Sequence, residues 1–116
     1  MTTTHIYKII DRDEWDLARA CGRYTGSPDD RRDGFIHFST AGQMKVTAAK
    51  HFAGHSNLVL LALDAGRLGE ALKWEPSRGG DLFPHLYGPM LASAVVRSWP
   101  LPLGEDGKHV FPEDAT

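Results

Sequence analysis

Apolar and polar positions alternate along His5-Ile-Tyr-Lys-Ile-Ile10, and the β-branched and aromatic content predicts an N-terminal strand. Asp11 then stands where a helix N-cap belongs, with the capping-box acid Glu14 at the third helical position. Trp15, Ala18 and Cys21 follow at helical spacing, and Gly22 supplies a stop, so residues 12–21 read as a helix packed through those three side chains. Residues 24–34 carry Gly, Pro, Ser and Asp with few apolar anchors, which predicts a loop long enough to cover a site. Phe35 to Ser39 is the next strand, with Phe35, His37 and Ser39 on one face and Ile36 and Phe38 on the other.

Thr40 and Gln43 have the spacing of a capping box and predict a second helix from Thr40, carrying Met44, Ala48 and Phe52 and closed by Gly54. Leu58 to Leu63 is apolar without alternation, as in a central strand buried on both faces. Leu72-Lys-Trp-Glu75 reads as a half-buried strand, with Trp74 assigned to the core, and residues 76–81 as a second loop. Phe83 to Pro89 is expected to be a rigid turn, and Ala94 to Trp99 a last strand. The prolines and glycines beyond it predict an irregular arm over 104–116, leaving 1–103 as a single domain. Two helices are too few for a doubly wound sheet, so the order of elements indicates an α+β fold with a mostly antiparallel sheet.

Composition narrows the function classes. The chain has 116 residues, 41% apolar and 24% charged, as in an ordinary globular domain. A net charge of −2 gives no general attraction for nucleic acid. The single Cys21 forms no intramolecular disulfide and is expected to be a small buried hydrophobe. The N-terminus lacks a basic and apolar leader, and the longest apolar run is too short for a bilayer, so a cytoplasmic protein without membrane association is expected.

Two segments concentrate chemistry. Gly34-Phe-Ile-His-Phe-Ser-Thr40 offers the His37 imidazole beside the Ser39 hydroxyl, and Phe83-Pro-His-Leu-Tyr-Gly-Pro89 offers His85 and Tyr87. His37 is either an acid–base group facing a pocket or a buried histidine satisfied by backbone. Thr40 is explained by its capping role, and Gly88 permits close approach of a ligand. Glu75, at a strand end, is a candidate base or cation stabiliser, with a plain surface charge as the alternative. No metal is expected: the histidines have no cysteine pair and no His-Glu-x-x-His helix. No nucleophile elbow, P-loop or dinucleotide fingerprint is present.

Together with His5-Ile-Tyr-Lys and Lys73-Trp-Glu75, these strings resemble the domain-of-unknown-function 952 family of small bacterial proteins over about residues 5 to 100. The resemblance implies a fold similar to ADP-ribosyltransferases, a split antiparallel sheet around a cleft, with two main helices here. It further implies a nucleotide or NAD-derived ligand held by His37, Ser39, Thr40, His85, Tyr87 and Gly88, with His5 and Tyr7 on the first strand. His37 and Glu75 would then be the catalytic groups for ribosyl transfer or NAD hydrolysis. Tyr87 follows Glu75 in the chain, whereas the transferase triad has them in the opposite order. A non-catalytic module binding a small molecule or a protein through the same cleft is the alternative. An RNA-processing phosphotransferase-like enzyme is a third reading, and it requires a basic patch around Arg31, Arg32, Arg78 and Arg97.

Overall fold

The apolar run at Leu58 becomes the middle of a sheet. In the computed structural model, which describes residues 4–115 apart from the Arg78 side chain, β4 (Leu58–Asp64) lies between β1 (His5–Asp11) and β8 (Val95–Leu101), antiparallel to both. Every side chain from Leu58 to Leu63 is buried, and successive ones go to opposite faces. Val59, Leu61 and Leu63 join Ile6, Ile10, Trp15 and Ile36 in one apolar cluster. Leu58, Leu60 and Ala62 join Tyr7, Ile9, Met44 and Leu101 in another.

The helix α1 (Arg12–Cys21) begins as its sequence indicates, with the Asp11 carboxylate accepting from the N–H groups of Asp13 and Glu14. Trp15 and Ala18 are buried, but Cys21 is exposed, a correction to the expected core position. It sits in the last turn, where the chain leaves at Gly22, and its thiol lies 3.0 Å from the Arg23 carbonyl.

The segment expected to be a loop contains two elements. β2 (Arg23–Tyr24) pairs with β7 (Met90–Leu91), and α2 (Pro28–Asp33) follows. Ser27 and Asp30 form a reciprocal capping box, and Pro28 occupies the first turn. The described chain therefore has three α-helices rather than two main ones. The third, α3 (Met44–His51), starts later than expected. Thr40 does not cap it: the Thr40 N–H donates to Gln43 Oε1, and residues 41–43 form a turn before the helix.

A second sheet has the order β3-β6-β5, from β3 (Ile36–His37), β6 (Leu82–Leu86) and β5 (Leu72–Pro76), again antiparallel. The expected strand from Phe35 to Ser39 is divided between the two sheets. Ile36 and His37 pair with β6, whereas Ser39 exchanges backbone hydrogen bonds with Tyr7 of β1. Phe83 to Leu86 is not a turn but the central strand of this sheet. Pro84 fits there because its carbonyl accepts from Phe38 N–H, so its backbone edge faces the chain just beyond β3 and no bond to β5 is lost. Trp74 is 42% exposed rather than core. The irregular residues 104–115 lie against the domain: Phe111 and a buried Ala115 pack in the second cluster, and Asp114 pairs with Arg97.

Candidate functional site: two histidines over a polar cavity

The divided strand brings β1, β3, β6, α2 and α3 around one cavity of about 300 Å³. His37 and His85 are register partners across β3 and β6, with ring centroids 5.6 Å apart, and both line it. Phe35 stacks on His85 at 4.0 Å and lies 4.7 Å from His37, as the common face of Phe35 and His37 requires.

Each imidazole is held at Nδ1 by a carboxylate. Asp30 Oδ1 lies 2.6 Å from His37 Nδ1 and also accepts the His37 N–H. Its other oxygen accepts from Lys8 Nζ at 3.0 Å and from Ser27 N–H at 2.9 Å. Gly26 permits this placement: with φ at +113°, a Cβ built on it would lie 2.8 Å from Asp30 Cβ. Gly34, also at positive φ, ends α2 and turns the chain into β3, which returns His37 to Asp30. Burial pushes the Asp30 carboxyl up, but the His37 and Lys8 contacts and the two N–H donors outweigh it and hold it well below the usual carboxylate range. Lys8 is buried on the Ile6 and Ile10 face of β1, between the rings of Tyr24 and Phe38. Burial lowers its ammonium pKa, and Asp30 opposes that shift. Its ammonium also donates to the His37 carbonyl, at 2.9 Å.

The second ring nitrogen of His37 lies 3.0 Å from Asp33 Oδ2. A neutral imidazole donates from one nitrogen only, so the ring hydrogen-bonds Asp30 and Asp33 at once only when both nitrogens carry protons. At His85, Nδ1 lies 2.9 Å from Glu75 Oε1, which also accepts from Tyr87 O–H at 2.7 Å. The Tyr87 and His85 contacts lower the Glu75 carboxyl, and Glu75 raises the Tyr87 phenol.

Of the sequence-predicted residues, His37, Ser39, His85 and Tyr7 line the cavity. Glu75 and Tyr87 reach it only through His85, while Thr40, Gly88 and the exposed His5 lie outside its lining. Ser39 Oγ is 3.1 Å from Thr47 Oγ1 on α3. Sequence reasoning missed Lys8, Asp30 and Asp33. A lysine in phase with Ile6 and Ile10, and the Ser-Pro-Asp-Asp start of a short helix, were the signals available. Among the described residues, no group of three or more His, Cys, Asp or Glu side chains is arranged to hold a metal ion. None of the described helices is long and apolar enough to cross a membrane.

The fold and cavity define a small α+β domain with a polar site where two antiparallel sheets meet. The chain belongs to the family described as protein of unknown function DUF952, which residues 9–98 match. It is similar to the crystal structure of protein CC0527 from Caulobacter crescentus, at 57% identity and TM-score 0.89, covering 92% of this chain and 94% of that one. The solution NMR structure of CC0527 is 58% identical with TM-score 0.81, covering 90% of each chain. No curated protein matches the sequence.

Proposed function

We propose that this protein binds a nucleotide or NAD-derived ligand in the cavity beneath His37 and His85. The observation that carries the reading is the convergence of two imidazoles, each oriented by a carboxylate, on one hollow. Ser39, Thr47 and Tyr7 add polar side chains to the same walls. A volume of about 300 Å³ is at the small end for ligand sites, so the cavity takes a mononucleotide or the reacting end of a dinucleotide. The split into two three-stranded antiparallel sheets supports the likeness to ADP-ribosyltransferases. Arg32 lies among Asp29 and Asp33, and Arg97 is paired with Asp114, which argues against a basic track for RNA. A cytoplasmic setting belongs to the same proposal and suits an exposed, unpaired Cys21.

The reaction class is transfer or hydrolysis at the nicotinamide ribose. The C1′–N bond breaks with its electron pair left on nicotinamide, and a water or acceptor oxygen bonds to C1′. The proton that this oxygen loses passes to the Asp33 carboxylate, which is partly exposed and lines the cavity. Glu75 acts as a positioning residue for His85. Its engagement with His85 and Tyr87 also favours the second reading, a binding module without chemistry, because the expected cation stabiliser is then turned to another task.

Isothermal titration with NAD and ADP-ribose tests the binding. Saturable heat from the wild type, lost in His37→Ala and His85→Ala, is the expected result. Silence from both ligands at millimolar concentration overturns it. Free nicotinamide accumulating from NAD separates the enzyme from the binding module.

A further inference from the structure

Asp30 and Asp33 both contact His37, yet they are built differently. The Asp30 side chain is 2% exposed and receives fixed donors from the protein interior. The Asp33 side chain is 36% exposed and lines the cavity at the end of α2. Its two oxygens bridge two side-chain nitrogens: His37 Nε2 at 3.0 Å and Arg32 Nε at 3.2 Å. The rest of the Arg32 guanidinium reaches Asp29 at 3.3 Å, so that charge is already countered. Lys8 already balances the single charge of Asp30, so Asp33 is the counter-charge available to His37 whenever its ring carries both protons. A partly exposed carboxylate at a cavity wall, with one oxygen against His37 Nε2 and the other accepting from Arg32, is in the geometry of a bound oxyanion.

We propose that Asp33 occupies the subsite of a ligand oxyanion, and that a phosphate monoester displaces it to bridge His37 and Arg32. This rests on the nucleotide reading above and adds to it which end of the ligand meets which residues. The site is self-filled at rest. A phosphorylated ligand competes with the protein's own carboxylate, whereas its uncharged counterpart does not.

AMP, adenosine and inorganic phosphate are the probes, titrated into wild type, Asp33→Asn and Asp33→Ser while the His37 ring signals are followed by NMR. Two variants are used so that one folded replacement suffices, judged by a native-like amide spectrum. Removing the competing charge is expected to tighten AMP about tenfold and leave adenosine within about twofold. Weaker or unchanged AMP binding in the variants overturns the proposal, as does an equal gain for adenosine. If neither nucleotide binds any form, the nucleotide reading falls. Inorganic phosphate then decides the subsite alone: movement of the His37 ring signals in Asp33→Asn sustains it, and their immobility ends it.

Discussion

The two three-stranded sheets of this protein are built alike and filled differently. In β1-β4-β8 the middle strand is apolar on both faces, and Leu58 to Leu63 are all buried. In β3-β6-β5 the middle strand instead carries His85 opposite His37, with Glu75 on the neighbouring strand two residues beyond Lys73, the register partner of His85. The first sheet is held by area removed from water, which tolerates any apolar side chain of the right shape. The second is held at its inner edge by a polar network in which every partner must be present. The lesson is a division of labour: β4 supplies stability, and the Lys8–Asp30–His37 network sacrifices some tolerance to fix an imidazole at a cavity.

The largest break in that comparison is Asp30→Ala. It leaves the buried Lys8 ammonium without its carboxylate, and a loss of about 3–5 kcal/mol is expected in urea unfolding. Pairing it with Lys8→Met is expected to recover most of that loss, since an apolar replacement of a buried ion pair costs little. A full loss persisting in the double variant contradicts the network account. Leu61→Ala, in the apolar sheet, is expected to cost about 2–5 kcal/mol, and no second substitution on the polar side recovers it.

Acid sharpens the contrast further. The folded Asp30 carboxyl sits below its ordinary value, so the stability it lends is complete above the unfolded carboxylate pKa of about 3.9. That stability drains away as pH falls from there through the lower folded value. The gap in unfolding free energy between wild type and Asp30→Ala is therefore flat near neutrality and shrinks below about pH 4. A gap that widens on acidification contradicts the assignment. The smallest effect is expected from Tyr87→Phe, which removes one hydrogen bond to the half-exposed Glu75. Unfolding is expected to be unchanged, while the His85 ring signals shift because their Glu75 partner is loosened.

The apolar sheet was largely legible in the chain, and the polar edge was not. Leu58 to Leu63 and the alternation at Ile6 to Ile10 announce buried strands because hydrophobic burial follows residue type. α2 escaped because its only buried residue is Asp30, so no apolar stripe marks it. Its capping residues, Ser27 and Asp30, were the remaining sign. Pro84 hid β6, since proline argues against a central strand unless its backbone edge points past a neighbour's end. Nothing local marks Lys8 as buried, and only the placement of α2 across its tip reveals a buried ion pair. The pairing of His37 with His85 depends on strand register, which no local pattern encodes. Their shared chemistry was nevertheless visible in the two glycine- and proline-bounded strings.

The central claim is that His37 and His85 belong to one hollow that a ligand enters. The most direct measurement is an NMR titration of all histidine ring signals with ADP-ribose. The account predicts that His37 and His85 move together along one saturable curve while His55 and His109, outside the cavity lining, stay in place. Signals of His37 and His85 that remain fixed, or that follow separate curves, contradict it.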